Sequence, residues 1–309
     1  MTFDSRPLVL DGRPSARLEI LSPGPLTTVQ DLGRPGWAHI GVPGSGAADQ
    51  RALTLANRLV GNPEGAAALE TTYGGLKLRL HAKSRGSQPS VRYIALTGAP
   101  CPARLDDGRL IAPNAPVAVY DGQVLELGLP SSGLRTYLAV RGGIDVAPSL
   151  GSRSTDLLSG LGPPPITAGD VLALGAPEGG LPGVDVAPQP PLSDDITLRV
   201  VAGPRDDWFT DESVRTLYAH DWEATSRSNR IGIRFDGPAL TRRKEGELPA
   251  EGMARGALQV PPNGLPVLFL ADHPVTGGYP VVGVMHTKDL PLAGQIRPGA
   301  RVRFLPARH

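Results

Sequence analysis

The sequence of 309 residues holds a single cysteine, Cys101, which excludes an internal disulfide and a Cys-based metal site. It lies between two prolines in Ala99-Pro100-Cys101-Pro102 and reads as a packing residue rather than a nucleophile. Net charge is equally scarce: 31 Lys and Arg against 30 Asp and Glu leave a formal +1, no electrostatic footprint for nucleic acid or an anionic membrane. Only four of the cations are lysines, and the rest are arginines, the cation suited to carboxylates where it is buried. Long apolar runs are missing. In the C-terminal third the longest, 265–271, has seven residues, against the ~20 needed to span a bilayer, so no membrane association is expected. The start, Met1-Thr2-Phe3-Asp4-Ser5-Arg6-Pro7, lacks a charged segment followed by an apolar one, and a cytoplasmic location is expected. There is no phosphate-loop motif, no G-x-G-x-x-G, no H-E-x-x-H and no G-x-S-x-G. The six histidines are scattered without ligand spacing, so no metal site is expected.

Glycine and proline are abundant instead, 39 and 33 residues, about twice the ordinary share. They punctuate short Val/Leu/Ile/Arg runs and predict a mainly β protein. Strands are predicted at 17–21, 76–81, 90–97, 116–120, 123–127, 135–141 and 171–174, then at 197–202, 231–235, 257–260, 266–271, 281–286 and 301–305. Apolar residues at 52, 53, 56, 59 and 60 give the stretch 48–60 helical spacing, with Gly61 and Pro63 as stop signals. A second helix is predicted within 204–218, capped by Thr210 or Asp211. Residues 176–191, with three Gly and five Pro and no period, read as a linker. Leu18-Glu19-Ile20-Leu21-Ser22-Pro23-Gly24 and Leu198-Arg199-Val200-Val201-Ala202-Gly203-Pro204 echo one another, as two similar halves would.

Four segments gather polar residues and glycine between apolar elements. Residues 27–36 offer Gln30, Asp31 and Arg34 beside glycines, which suits a ligand or a loop held by an Asp31–Arg34 pair. Residues 41–49 run into the first helix, whose positive end suits either an anion or plain capping by Ser45 or Asp49. Residues 226–235 place three arginines near a Ser-Asn turn, either a carboxylate-binding fork or a solvated basic turn. Residues 271–280 carry Asp272, His273, Thr276, Gly277, Gly278 and Tyr279 after an apolar strand, a place for backbone donors to an oxyanion or for a Gly-Gly hairpin.

Thr27-Thr28-Val29-Gln30-Asp31-Leu32-Gly33-Arg34, Gly44-Ser45-Gly46-Ala47-Ala48-Asp49 and Ala56-Asn57-Arg58-Leu59-Val60-Gly61-Asn62 resemble the opening of the family known as allophanate hydrolase subunit 2. This is also called the KipA-like or biotin-dependent carboxyltransferase family, and it includes the C component of bacterial 5-oxoprolinase. The resemblance continues through Leu69-Glu70, residues 139–144, 151–156, 228–232 and 256–261, Thr276-Gly277-Gly278-Tyr279-Pro280 and residues 295–299. Departures are small: Ala48 stands where the family often has Met, Ala250 where it has Ser, and Val275 where it has Thr.

The resemblance implies two cyclophilin-like β-barrel domains with a few short helices, over 16–190 and 191–309. It implies one component of an ATP-dependent lactam hydrolase, opening 5-oxoproline to glutamate with an A component and a KipI-like B component. ATP would act within the complex, and biotin only if another protein supplies it, since no Met-Lys site is present. The alternatives are a carboxyltransferase component acting on urea or a similar amide, and a non-catalytic binder of a KipI-like kinase inhibitor. The candidate catalytic residues are Gln30, Asp49, Asn229, Asp272 and Tyr279. The candidate substrate-binding residues are Arg34, Arg230, Gln259, Thr276, Gly277 and Gly278, with Arg34 or Arg230 as a carboxylate fork and the Gly277-Gly278 backbone at the oxyanion. All of these segments are expected to converge on one cleft.

Overall fold

The computed structural model describes residues 16–82, 90–246 and 248–307. All thirteen runs predicted as strands are strands, with boundaries shifted by one or two residues. The first half contains β1 (Ala16–Pro23), β2 (Leu26–Gln30), helix α1 (Gln50–Leu59), β3 (Ala68–Thr72), β4 (Leu76–Ala82) and β5 (Val91–Gly98). It continues with β6 (Ala103–Leu105), β7 (Val117–Tyr120), β8 (Val124–Leu127), β9 (Arg135–Val140) and β10 (Val171–Ala173). These form two five-stranded sheets, ordered β10-β1-β4-β8-β6 and β2-β3-β9-β5-β7.

The core of this half follows from the two-residue period of its strands. Leu18 and Ile20 of β1 and Leu76, Leu78 and Leu80 of β4 meet Val29, Leu69, Leu96, Leu138 and Val140 from the other sheet. Strand β9 is buried on both faces. Its Leu138 and Val140 enter the sheet-on-sheet core, while Tyr137 and Ala139 face Leu53, Ala56 and Leu59 of α1. Glu70 of β3 lies opposite Tyr137 in register and shares its α1-facing side with Ala68. Strands β9 and β3 thus deliver a tyrosine and a glutamate to the covered side of the sheet.

The second half contains β11 (Asp195–Ala202), α2 (Asp211–Ala219), β12 (Asp221–Ala224), β13 (Gly232–Asp236), β14 (Glu251–Gly252) and β15 (Ala257–Gln259). After these come β16 (Val267–Phe269), β17 (Thr276–Gly277), β18 (Val281–Met285), α3 (Leu290–Ala293) and β19 (Arg301–Pro306). Seven strands close a barrel in the order β11-β18-β15-β16-β13-β12-β19, and β14 pairs with β17 outside it. Trp222, Phe235 and Phe304 fill the barrel, with Phe235 edge-on to Phe304 at 5.4 Å. Thr210 caps α2 by accepting from the Ser213 amide.

The linker stretch is pinned to the first half. Arg141 donates to the carbonyls of Val60, Glu178, Gly179 and Gly180, and the Ala187 amide donates to the Asn114 carbonyl at 2.8 Å. Among the described residues no helix is long and apolar enough to cross a membrane.

Candidate functional site

The two halves meet along a buried polar seam, built on the loop before α1. Ser45 adopts φ 51° and Gly46 φ 86°, which turns the chain sharply ahead of the helix. A Cβ at Gly46 would lie 2.8 Å from the Gly33 nitrogen, so this position requires glycine for space as well as conformation. Asp49 then caps α1, its Oδ1 accepting from the Ala52 amide at 3.0 Å. Its own amide donates to the Tyr137 hydroxyl at 2.8 Å, and that hydroxyl donates to Glu70 Oε2 at 2.7 Å. The Ala48 amide donates to the same Oε2 at 2.9 Å. Of the two readings of this helix start the structure shows capping, by Asp49, and the place of an external anion is taken by the protein's own Glu70.

Arg230, at the mouth of the second barrel, binds across the seam. Its Nε donates to Asp272 Oδ2 at 2.9 Å, and its Nη2 donates to Asp272 Oδ1 at 3.0 Å and to the Gly46 carbonyl at 2.6 Å. Its Nη1 donates to Glu70 Oε1. Burial disfavours the Arg230 charge, but Glu70 and Asp272 more than reverse this and hold its pKa above the usual value. Burial likewise raises the Glu70 carboxyl, and Arg230 and Arg135 overcome it to keep Glu70 below its ordinary range. Asp272 also accepts from the Ser45 hydroxyl at 2.7 Å and the Leu157 amide at 3.1 Å.

Gln295, after α3, completes the seam. It donates to Asp49 Oδ2 at 2.8 Å and to the Arg135 carbonyl at 3.0 Å, and accepts from the Arg135 amide at 2.9 Å. Burial raises the Asp49 pKa, and the Gln295 bond works against it. Above the seam, Asp31 accepts from the hydroxyls of Ser152 and Ser154, both at 2.6 Å. Arg34 does not pair with Asp31: it donates to the Ser149 and Ser154 carbonyls and faces Asp156 at 3.8 Å. Gln30 donates to the Thr155 carbonyl at 2.9 Å, which also lies 3.2 Å from the Ser45 hydroxyl.

The structure thus brings Gln30, Arg34, Asp49, Arg230 and Asp272 into one continuous polar region. Neither arginine is the ligand fork expected of it. Arg230 is saturated by two carboxylates and a carbonyl, and Arg34 is held by two carbonyls and faces Asp156, its Nη1 buried without a hydrogen bond. A second group lies on the ribbon β14–β17, where Thr276 pairs with Gly252 and Gly277 with Glu251. Gln259 donates to the Tyr279 carbonyl at 3.1 Å, and a Cβ at Gly277 would meet Gln259 Nε2 at 2.7 Å. Gly278 and Tyr279 are exposed. Asn229 stands apart on the surface, its Oδ1 accepting from the Ile231 amide at 2.8 Å in a local turn. One cleft lined by all eleven residues is therefore corrected to a buried seam and an exposed ribbon. Among the described residues no cluster of three or more His, Cys, Asp or Glu could hold a metal ion.

Residues 40–306 match the family described as carboxyltransferase domain, subdomain A and B. The chain belongs to the carboxyltransferase domain family. This carboxyltransferase chain is 37% identical to the 5-oxoprolinase C component of Escherichia coli, over 93% of its own length and 90% of that protein. It is 38% identical to the urea amidolyase of Lachancea kluyveri over 96% of its length, but spans only 17% of that protein. The crystal structure of the K. lactis urea amidolyase superposes with a TM-score of 0.84 at 34% identity, covering 97% of this chain and 19% of that one.

Several seam residues of the carboxyltransferase chain are not among the candidates that the sequence offers. Glu70 stands in the quoted Leu69-Glu70 pair and Tyr137 in the predicted strand at 135–141, and a carboxylate or phenol in a buried strand is the signal that points to them. Arg255 and His273 lie beside or within segments already quoted, but their surroundings come only from the fold.

Proposed function

We propose that this chain is the C component of an ATP-dependent 5-oxoprolinase, acting with an A component and a KipI-like B component to open 5-oxoproline to glutamate. The observation that carries the reading is the end-to-end similarity to the E. coli C component, over nine-tenths of both proteins. A relative of the same name in Haemophilus influenzae is 32% identical over 93% of this chain. The ring amide of 5-oxoproline is stable, so its opening calls for activation of the amide oxygen, which ATP supplies within the complex. No such step is assigned to this chain's α1 start, where the donors are already engaged by Glu70, Tyr137 and Asp49. The role of the seam residues is to hold the two halves in one fixed relation, so that the ribbon carrying Gly277, Gly278 and Tyr279 has a defined place beside it.

The second reading is a carboxyltransferase component taking a carboxyl group from a biotin carried by another protein to urea or a similar amide. The urea amidolyase similarity, equal in strength over this chain, favours it. The two are separated by co-expressing the chain with its A- and B-type partners and assaying ATP-dependent glutamate release, omitting each protein in turn. Turnover that requires this chain supports the oxoprolinase reading. Absence of turnover from a stable complex, with carboxylation of urea by a biotinyl carrier, supports the other.

A further inference from the structure

The seam holds a guanidinium that its carboxylates leave over. Arg34 faces Asp156, Arg135 faces Glu70, and Arg230 faces Glu70 and Asp272. Arg255, between β14 and β15, crosses to the first half and donates from Nη2 to the carbonyls of Ala48 at 2.6 Å and Ala47 at 3.3 Å. These contacts fix its head, yet no carboxylate among the described residues pairs with it, and its Nε is buried with no hydrogen-bond partner. A half-buried cation with unused donors and no counter-ion is unfavourable in the free protein and suited to an anion that arrives from outside.

His273, only 8% exposed, lies in the same part of the seam: its neighbour Asp272 pairs with Arg230, which donates to the Gly46 carbonyl, next along the chain from the Ala47 and Ala48 carbonyls that hold Arg255. The His273 Nδ1 is 2.8 Å from the Pro274 carbonyl, which assigns the ring proton to Nδ1 and leaves Nε2 as a lone-pair acceptor without a partner. Burial lowers the His273 pKa, and the Arg255 charge is among the further causes, so the ring is neutral at pH 7. The two are held from one strand end: the Phe269 carbonyl accepts from the Gly256 amide at 2.9 Å, and the Phe269 ring stacks on His273 at 6.2 Å. The result is a fixed positive donor and a neutral acceptor in one part of the seam.

We propose that Arg255 and His273 form the recognition site for a small carboxylate whose adjacent carbon bears an amide N–H, Arg255 taking the carboxylate and His273 Nε2 accepting the N–H. This rests on the oxoprolinase reading and narrows it. 5-Oxoproline carries both groups on one carbon, whereas urea has the N–H groups and no carboxylate. It also moves carboxylate recognition from Arg34 and Arg230, each of which faces a carboxylate of the protein, to the arginine that faces none among the described residues.

The test compares L-5-oxoproline with 2-pyrrolidone, the same ring without the carboxylate. In the assembled complex, Arg255→Gln is expected to raise KM for 5-oxoproline about 10- to 100-fold with a much smaller change in kcat, as for a lost charge-assisted contact. Arg255→Lys restores part of the loss and serves as the folding control, alongside thermal midpoints of both variants. Wild-type turnover with KM unchanged in Arg255→Gln overturns the proposal and leaves the oxoprolinase reading intact. If the wild-type complex does not turn over, the oxoprolinase reading fails and the site is judged on binding to the full chain by ligand-detected NMR. Saturable binding of 5-oxoproline that 2-pyrrolidone lacks and Arg255→Gln abolishes then supports the site. Binding that does not depend on the carboxylate overturns it.

Discussion

Replacing Arg230 by glutamine removes the charge on which the seam turns. Glu70 and Asp272 are both 1% exposed or less, so neither regains water when the guanidinium goes. Glu70 keeps Arg135 at 3.3 Å, whereas Asp272 keeps the Ser45 hydroxyl and the Leu157 amide but no cation. Removing one partner of a buried pair leaves an uncompensated charge, and the expected loss of stability is about 3–5 kcal/mol at neutral pH. Urea unfolding followed by tryptophan fluorescence measures it, since Trp222 lies in the second core. The pH dependence supplies a second reading. Without Arg230 the effect of burial on Glu70 is opposed only by Arg135, the Ala48 amide and the Tyr137 hydroxyl, and its folded-state pKa rises. The folded variant then binds more protons than the wild type as pH falls toward 4, so its deficit is largest near pH 7 to 8 and shrinks in acid. A deficit below about 1 kcal/mol, or one independent of pH, would refute the idea that this guanidinium compensates two buried carboxylates.

Tyr137→Phe removes the hydroxyl that accepts from Asp49 and donates to Glu70, and should lower stability by about 1–3 kcal/mol in the same assay. Gly294→Ala places a Cβ 2.6 Å from the Ala48 carbonyl oxygen, so α3 must move off the loop before α1; faster amide exchange at Ala48 and Asp49 reports it. His273 has a folded-state pKa below its unfolded value, so the unfolded chain binds more protons in that window. Its contribution is complete above about pH 6.5 and is lost as pH falls through the folded value, and His273→Phe should flatten denaturation midpoints between pH 7.5 and 5.

Most of the architecture is legible because short strands bounded by glycine and proline announce themselves by period and punctuation. Strand β2 escapes that reading for an instructive reason: Thr27, Thr28 and Gln30 look like loop chemistry, yet all three are buried. Short strands β6, β14 and β17 and the single turn of α3 carry too few residues to show a period. At the site, residue types are readable and their engagement is not. Arg230 has the side chain of a ligand fork, but whether a fork is empty depends on which carboxylates the fold brings to it, here Glu70 from 160 positions away. Asn229, one residue earlier, shares the same motif and closes only its own turn.

The clamp on the linker bears on how long the halves can stay apart. Arg141 and Asn114 tie residues 178–187 to the first half, so the free tether shrinks to the stretch between Ala187 and Asp195. Seven or so residues at ~3.5 Å each reach about 25 Å at full extension, and three of them are prolines that stiffen the path. A tether this short keeps Arg230 at a high effective concentration near Glu70, on the order of millimolar or above. After any excursion the seam therefore recloses as an intramolecular event, and dilution of the protein has no hold on it.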